Sequence, residues 1–365
     1  MKKIFIAATK QNDGKTTVSL GLISNFQKLF KKVAFIKPIG QRYLEEEGLK
    51  IDEDSLLIEE VCGVCGIKCG LKDMNPIAVE KGFTERYISH PDKQSITNQI
   101  KGAFRHVSRK QDLVIIEGTG HAGVGSVFDH SNAYVAKLLG SKVIIISSGG
   151  IGRPIDEIIL NKALFEKEGV KVLGVIINKV LADKFDKINR LVRAGLERKG
   201  VKVLGVIPYN PFLSLPTIEQ ILEETDFELL SGKDYPGQYI SRVIVGAMQP
   251  KEAVKYIIDD SLLITPGDRE DMITTALGCY RQDNKEKLKV SGIILSGGII
   301  PEKSIVDLLN KAKIPVLLSK GDTYSVASTV HDLTVKIRPC DTVKINAVIK
   351  LIKENVDLDG ILSRL

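Results

Sequence analysis

The chain has 365 residues, which exceeds the usual size of one hydrophobic core, so two domains are expected. Its formal charge of +7 is spread over lysines and arginines that stand singly among acids, without a long basic run. This distribution argues against nucleic acid as a partner and remains compatible with small anionic ligands such as phosphates.

The N-terminal segment argues against export. The apolar run "IFIAA" after Lys3 has about five residues, whereas a secretory signal needs roughly 7–15. No segment approaches the roughly 18 apolar residues of a membrane span. We therefore predict a cytoplasmic protein without a membrane partner.

Short apolar runs alternate with helix-length amphipathic stretches in the first part of the chain. The runs are continuous and rich in Val and Ile, which is typical of strands covered on both faces. The predicted strands are 3–8, 33–38, 112–118, 142–147, 170–178 and 201–208. Helical periodicity fills the gaps, for example over 182–200. This alternation predicts an α/β fold with a doubly wound, mostly parallel sheet.

The stretch "IPYNPFLSLPT" at 207–217 predicts a domain boundary, because prolines and polar residues interrupt the pattern there. A second alternating series follows it. Its predicted strands are 241–248, 261–268, 290–298 and 314–322. We therefore predict a first α/β domain at 1–212 and a smaller α/β domain at 213–365.

The stretch "TKQNDGKTT", from Thr9 to Thr17, lies between the first predicted strand and a helix, as a phosphate-binding loop must. Its end matches a Walker A motif, but Thr9 stands where that motif has its first glycine. Backbone N–H groups at the helix N-terminus would hold phosphate oxygens. The residues expected to bind the nucleotide in this loop are Lys10, Gln11, Asn12, Asp13, Gly14, Lys15, Thr16 and Thr17.

The chemistry of this loop predicts a nucleoside phosphate and Mg²⁺ as cofactors. Lys15 would reach the β- and γ-phosphates, and the Thr16 hydroxyl would bind Mg²⁺. Glu117 ends the apolar strand "LVIIE" and is a second candidate Mg²⁺ ligand, because ligands bind at the carboxyl ends of such strands.

Three cysteines are close together in "VCGVCGIKCG": Cys62, Cys65 and Cys69. The spacing is that of metal ligands, but no fourth ligand stands nearby in the sequence. A zinc or iron–sulfur site and a set of reduced thiols both stay open, and we favour the thiols.

Several motifs together resemble a known family. "ATKQNDGKTT", "FIKPIGQRY", "DEDSLL", "VIIEGTGHAGVGSVFD" and "GVIINKV" stand in the order seen in dethiobiotin synthetase-like P-loop ATPases. Within that group, the region 1–210 is more similar to the ATP-binding region that precedes the catalytic domain of long bacterial phosphotransacetylases. Those proteins also have threonine at the position of Thr9. "TPGDRED" at 265–271 then resembles the signature of the DRTGG domain, with Asp268 and Arg269 matching.

The resemblance implies that the nucleotide is ATP, and it implies roles for further residues. Lys37, in the "KP" position, would contact the reacting phosphates and a substrate carboxylate, and Asp54 would associate with Mg²⁺. Asn178 would read the edge of the adenine. The predicted catalytic residues are thus Lys15, Lys37 and Glu117, and the predicted metal ligands are Thr16, Asp54 and Glu117.

Lys10 has two interpretations. In septum-site-determining and nitrogenase-iron-protein ATPases, a lysine at this position reaches the nucleotide of the partner subunit across a dimer interface. The alternative is an exposed loop lysine. We predict a homo-oligomer, with or without this contact.

Two functions are open at this point. The first is a regulatory or sensing ATPase module, since the chain has the two N-terminal modules of a long phosphotransacetylase and no room for the catalytic domain. The second is an ATP-dependent carboxylate-activating ligase similar to dethiobiotin or cobyrinic acid a,c-diamide synthetase. In the second domain, Arg269 and the loops at the strand ends are expected to bind a small anionic ligand.

Overall fold

The computed structural model describes residues 1–41, 43–46, 48–64, 70–233, 237–279, 290–312 and 314–365. The strands are, in chain order, β1 (Lys2–Ala8), β2 (Val33–Ile36), β3 (Ile39–Gly40), β4 (Tyr43–Glu46), β5 (Leu49–Asp52), β6 (Ile77–Ala78), β7 (Leu113–Glu117), β8 (Lys142–Ser148), β9 (Val172–Val180), β10 (Val203–Pro208), β11 (Glu228–Ser231), β12 (Arg242–Val245), β13 (Ser261–Pro266), β14 (Val290–Ser296) and β15 (Val316–Leu318).

The α-helices are, in chain order, α1 (Lys15–Phe26), α2 (Glu53–Cys62), α3 (Leu71–Met74), α4 (Phe83–Ser89), α5 (Lys93–Val107), α6 (Asn132–Leu138), α7 (Gly152–Lys167), α8 (Phe185–Glu197), α9 (Ile218–Glu224), α10 (Pro250–Ala253), α11 (Glu270–Cys279), α12 (Lys303–Ala312), α13 (Thr323–His331), α14 (Thr342–Asn355) and α15 (Leu358–Leu362). Among the described residues, none of these helices combines the length and the apolar character needed to cross a bilayer.

Six of the described strands form a parallel sheet in the order β10-β9-β8-β1-β7-β2. Both faces of the central strand β1 are covered, since Ile4 and Phe5, which point to opposite faces, are fully buried. Helices α5, α7 and α8 supply apolar side chains to the core that contains Phe5. The predicted doubly wound, parallel α/β sheet is therefore confirmed.

A second sheet has the order β11-β15-β14-β13-β12, in which β11 alone runs antiparallel to its neighbour. One apolar cluster joins it to α10, α11 and α12, and another joins it to α9 and α13. A second, smaller α/β arrangement was predicted, and it is confirmed. The edge strand β11 was not predicted, because its residues lack a continuous apolar run.

The described residues divide into two compact units, 1–210 together with 337–365, and 211–336. The sequence-based division placed the whole of 213–365 in the second domain. The structure differs at the C-terminal end, because α14 and α15 belong to the first unit.

The packing of α14 on α1 explains this difference. A Cβ added to Gly21 would lie only 2.2 Å from Ile352 Cγ1, so the two helices meet closely. Asn25 Nδ2 donates a hydrogen bond to the carbonyl of Ile349 at 3.1 Å. The N–H of Asp357 donates to the carbonyl of Leu204 at 2.7 Å, which ties the segment to β10. An amphipathic helix at the chain end gives no sequence signal for the sheet that it will cover.

The short hairpin β4–β5 was also not predicted, although it positions part of the site. Its strands pair antiparallel, with Tyr43 opposite Asp52. Asp52 then caps α2, because its side chain accepts a hydrogen bond from the N–H of Asp54. The hairpin therefore delivers two carboxylates to the carboxyl edge of the first sheet, where ligands bind in open α/β folds.

Candidate functional site: a phosphate loop beside a buried lysine–carboxylate cluster

The loop after β1 is closed by hydrogen bonds to a buried aspartate. Asp13 is 1% exposed, and its Oδ2 accepts from Thr9 Oγ1 at 2.8 Å and from the N–H of Lys10 at 3.0 Å. Thr9 Oγ1 also lies 3.1 Å from Ser147 Oγ on β8. Thr9, which departs from the Walker A pattern, thus has a structural role, because its hydroxyl bonds the start of the loop to Asp13.

Gly14 is required at the start of α1 for two reasons. Its φ of 94° lies in the left-handed region, which side chains disfavour. A Cβ there would lie 2.3 Å from Asn178 Nδ2. The helix that follows begins at Lys15, and its first N–H groups have no carbonyl within the helix to bond. These groups, at the positive end of the helix dipole, form an anion-binding position.

Asn178 supports this loop from β9. It is buried, and its Nδ2 donates to the carbonyl of Asp13 at 2.9 Å, while its Oδ1 accepts from the N–H of Lys179. Lys179 Nζ donates to the carbonyl of Asn12 at 2.7 Å. The structure thus gives Asn178 a scaffolding contact, and its reading of the adenine edge stays a prediction. The contact of Lys179 was missed in the sequence, where this residue has no distinguishing pattern.

Thr16 and Glu117, predicted as metal ligands, lie together. Glu117 is fully buried at the end of β7, and its Oε1 accepts from Thr16 Oγ1 at 3.1 Å. Its Oε2 accepts from Ser19 Oγ at 2.6 Å. Burial, reinforced by the charge of Asp54, raises the pKa of Glu117 to about 7, against the opposing effects of Lys37 and of the Ser19 hydrogen bond. Ser19 was missed because it lies beyond the motif, about one helical turn after Thr16.

The predicted Lys37 lies in the same site, in contact with three carboxylates. Its Nζ donates to Asp52 Oδ1 at 2.7 Å, also contacts Asp54 Oδ2, and lies 3.9 Å from Glu117 Oε1. Burial acts to lower the pKa of Lys37, but the carboxylates of Asp54, Asp52 and Glu117 outweigh it and raise the pKa. Lys37 is therefore a buried ammonium ion and not a surface lysine.

Asp52 was not predicted, although its place before the helical stretch is the signal of an N-cap. It is 1% exposed, and burial raises its pKa against the attraction of Lys37. The N–H of Asp52 donates to Asn75 Oδ1 at 3.2 Å, and Asn75 Nδ2 donates to the carbonyl of Lys37 at 2.9 Å. Asn75 therefore links the two charged residues through their backbones.

The remaining loop residues lie around the helix start. Lys15 and Thr17 are half-buried on the first turn of α1. Burial lowers the pKa of Lys15, with Glu117 acting in the opposite direction. Lys10 and Gln11 are exposed, and Gln11 Nε2 approaches Gln41 Oε1 at 3.4 Å. The role of Lys10 across a subunit interface stays a prediction.

The donor set suits a magnesium ion that arrives with phosphate. The candidates Thr16, Asp54 and Glu117 offer hydroxyl and carboxylate oxygens, which are the ligands that Mg²⁺ prefers. In the described part of the chain, no group of three or more His, Cys, Asp or Glu side chains forms a metal site by itself. Mg²⁺ in nucleotide sites takes one or two carboxylates and completes its shell with phosphate oxygens and water, so the residues fit this ion.

Only part of the cysteine group can be described. Cys62 is a free, half-buried thiol at the end of α2, and its Sγ lies 3.6 Å from Ser24 Oγ. Burial raises the pKa of the Cys62 thiol. Cys65 and Cys69 lie outside the described residues, so the choice between a metal site and reduced thiols stays open.

In the second unit, Arg269 has partners within the protein. Its Nε and Nη2 donate to the carboxylate of Asp271 at 2.8 and 2.9 Å. Its Nη1 and Nη2 also donate to the carbonyls of Gly246 and Met248, both at 3.2 Å. The guanidinium thus holds the loop after β12, and the binding of an anion by Arg269 stays a prediction.

These features define a P-loop NTPase domain. They are a loop at a strand end, a glycine with left-handed backbone, the lysine and threonine that begin the next helix, and a buried glutamate at the end of a neighbouring strand. The chain belongs to the AAA_26 family, an AAA domain that matches residues 2–217. A DRTGG domain matches residues 220–333. The predicted order of the two modules is confirmed.

Curated relatives extend this result. The chain is 24% identical over 372 residues to the phosphate acetyltransferase of Nitratidesulfovibrio vulgaris, which covers 99% of this chain and 51% of the relative. It is 27% identical to the phosphate acetyltransferase of Pseudomonas putida, over 98% of this chain and 51% of the relative. The chain therefore spans about half the length of these relatives, and the predicted resemblance to the N-terminal region of phosphotransacetylases is confirmed.

Two solved structures are also similar. The septum site-determining protein MinD complexed with Mg-ADP from Pyrococcus horikoshii is 18% identical, with a TM-score of 0.36, over 58% of this chain and 83% of that one. The CBS and DRTGG domains of the regulatory region of Clostridium perfringens pyrophosphatase, complexed with the activator diadenosine tetraphosphate, are 24% identical. Their TM-score is 0.26, over 38% of this chain and 60% of that one.

Proposed function

We propose that the first unit binds Mg·ATP, with the phosphates on the amides at the start of α1. The observation that carries this proposal is the position of Thr16, whose hydroxyl lies 3.1 Å from the buried Glu117 carboxylate. Thr16, Asp54 and Glu117 would hold Mg²⁺, which neutralises charge on the phosphates when bound. Lys15, the first residue of α1, would donate to the β- and γ-phosphates.

We propose further that the chain is a regulatory module whose nucleotide occupancy is coupled to the DRTGG domain. The support is the pairing of a P-loop domain with a DRTGG domain, and the relationship to the N-terminal half of proteins named phosphate acetyltransferase. The partners in this proposal are ATP, a small anionic ligand at the second unit, and further copies of the chain. In a homo-oligomer, the exposed Lys10 would be free to reach a neighbouring subunit.

A second candidate function is supported by Lys37. Its ammonium is buried beside the proposed magnesium ligands, which is where a cation could stabilise charge as the γ-phosphate passes to a carboxylate. This favours an ATP-dependent carboxylate-activating ligase as the alternative to a regulatory ATPase. The two functions differ in product, because only the ligase forms an acyl phosphate or an amide.

Calorimetry tests the nucleotide site. We expect Lys15→Ala to weaken Mg·ATP binding at least about tenfold, because it removes a charged hydrogen-bond donor to phosphate. Lys28→Ala, at an exposed lysine beyond the end of α1, is the matched control and should bind like the wild type. Equal affinity in all three proteins contradicts the proposal. An ATPase assay with added carboxylic acids, followed by mass spectrometry of the products, separates the two candidate functions.

A further inference from the structure

The ammonium of Lys37 lies inside the acidic cluster to which the proposed function assigns Mg²⁺. It donates to Asp52 and Asp54 and has Glu117 within 3.9 Å. Lys37 is 6% exposed, so water screens these interactions little. In the nucleotide-free protein, the ammonium therefore supplies positive charge that the buried carboxylates need.

Two of these carboxylates, Asp54 and Glu117, are also the proposed magnesium ligands. Mg²⁺ approaches carboxylate oxygens to about 2.0–2.1 Å. An ammonium bonded to the same Asp54 carboxylate would then lie within a few ångström of a doubly charged ion. Because the site is poorly screened, strong repulsion opposes this arrangement, and one cation must give up Asp54.

Asp52 can keep the Lys37 ammonium hydrogen-bonded when it leaves Asp54. Its Oδ1 accepts from Lys37 Nζ and from the N–H of Asp54, but its Oδ2 is buried and has no hydrogen-bond partner among the described residues. Asn75 holds Asp52 and the Lys37 backbone together. Asp52 is thus fixed close to Lys37 and has the capacity for a further hydrogen bond.

We propose that Lys37 is a resident cation of the site in the nucleotide-free protein, that Mg²⁺ displaces its ammonium from Asp54, and that Asp52 is the positioning residue that then retains it. This inference rests on the proposed function, since it concerns the same Mg·nucleotide site. An ammonium that has left Asp54 has a free N–H to donate to an anionic oxygen of a phosphate or a substrate. Metal binding would in this way prepare Lys37 for its ligand.

Two structures of the wild-type protein test the displacement directly. With ADP alone, we expect the Lys37–Asp54 contact to be present. With Mg·ADP, we expect it to be lost while the Lys37–Asp52 hydrogen bond persists. If Mg²⁺ is bound and the Lys37–Asp54 contact is unchanged, the proposal is wrong.

Asp52→Asn tests the positioning role in solution, because it removes a charge while preserving the shape of the side chain. We expect the enhancement of ADP affinity by Mg²⁺ to fall about ten- to a hundredfold, the usual effect of removing a residue that orients a metal site. ADP affinity is measured with and without Mg²⁺ for each protein, so that the ratio of the two affinities is compared. Glu60→Gln, the same charge change at an exposed position of α2, is the matched control and should behave like the wild type.

A double-variant cycle separates action through Lys37 from a direct effect on the metal. In a Lys37→Gln background, Asp52→Asn should cause no further loss of the Mg²⁺ enhancement. The same loss in both backgrounds would show that Asp52 acts on the metal through its own charge, which overturns the proposal. If Lys37→Gln fails to fold, the pair of wild-type structures decides.

Mn²⁺ binding to the nucleotide-free protein keeps this inference separate from the proposed function. Electron paramagnetic resonance should show that Lys37→Gln binds Mn²⁺ at least about tenfold more tightly than the wild type, because the competing cation is gone. Unchanged Mn²⁺ affinity contradicts the competition. A wild-type protein that binds no nucleotide under any metal condition would contradict the proposed function, and the Mn²⁺ result would still decide on the competition.

Discussion

The hydroxyl of Thr9 donates a 2.8 Å hydrogen bond to Oδ2 of Asp13, and this bond spans the phosphate loop from its first position to the residue before Gly14. A Walker A glycine at position 9 could not form it. The threonine therefore replaces the flexibility of a glycine with a side-chain bond that fixes the loop.

Thr9→Val keeps the shape of the side chain and removes the donor to Asp13. We expect a loss of up to about 2 kcal/mol in the free energy of unfolding, the usual value for a hydrogen bond to a charged group, together with weaker nucleotide binding. Denaturant titration and calorimetry measure the two effects. Thr84→Val, which makes the same change in α4 outside the loop, should leave both quantities near the wild-type values. A Thr9 variant that matches this control refutes the closing role.

Gly14→Ala should destabilise the first unit. The left-handed backbone costs a side chain about 1–2 kcal/mol, and the new Cβ would overlap Asn178 Nδ2. The matched control is Gly102→Ala in α5, where a Cβ meets nothing within 4 Å. There we expect an unchanged or slightly higher free energy of unfolding, by about 0.5–1 kcal/mol. Equal stability of the two variants in urea would contradict the prediction.

Glu117→Gln should remove the dependence of nucleotide binding on Mg²⁺. The amide retains the size of the side chain but loses the charge that attracts the metal, so any hydrolysis should also be lost while binding without Mg²⁺ persists. Magnesium titrations by calorimetry provide the measurement. Glu166→Gln, at an exposed acid of α7, should keep the wild-type Mg²⁺ dependence. A Glu117 variant with the same dependence would mean that this carboxylate is structural.

His130 should make stability depend on pH. It is fully buried, with Nδ1 2.8 Å from the carbonyl of Phe128 and Nε2 2.9 Å from Thr97 Oγ1, and burial lowers its pKa. Because the pKa is lower in the folded state, the unfolded chain binds the proton more readily. The resulting loss of stability is absent well above pH about 6.5 and grows as the pH falls below that value.

His130→Gln tests this dependence. We expect the variant to be less stable than the wild type at about pH 8, and the difference to shrink at about pH 5.5, where only the wild type bears the protonation cost. Urea denaturation at both pH values gives the comparison. Parallel stability profiles for the two proteins would assign the pH dependence to other groups.

Removal of residues 337–365 should destabilise the first unit, because α14 covers α1 at Gly21 and Asn25. We expect the fragment 1–210 to unfold at lower denaturant concentration than the first unit of the whole chain, and a peptide of 337–365 to restore part of the difference. The fragment 211–336 contains both apolar clusters of its sheet and should fold by itself. Circular dichroism follows each transition, and a 1–210 fragment with undiminished stability contradicts the assignment of the C-terminal helices.

The sequence by itself determined the strands of both sheets except β11, the phosphate loop and the position of Glu117. Buried parallel strands are continuous apolar runs, and a phosphate loop is a contiguous motif, so the signal for each lies within a few neighbouring residues. The resemblance added Lys37 and Asp54 to the candidate site. Short elements such as the hairpin that ends at Asp52 gave no such signal. They contain no apolar run, and they are defined only by pairing with a neighbouring strand.

Only the tertiary structure decided which side chains meet. It paired Lys37 with Asp52, gave Asn178 the Asp13 carbonyl as its partner, and used Arg269 to hold a loop. It also placed 337–365 on the first unit. Each of these contacts depends on how separate elements pack. The type of a charged or polar residue does not show whether its partner is water, a ligand or a buried carboxylate. Burial and distance, which only the folded chain fixes, determine whether such a residue is a solvated surface group or part of a site.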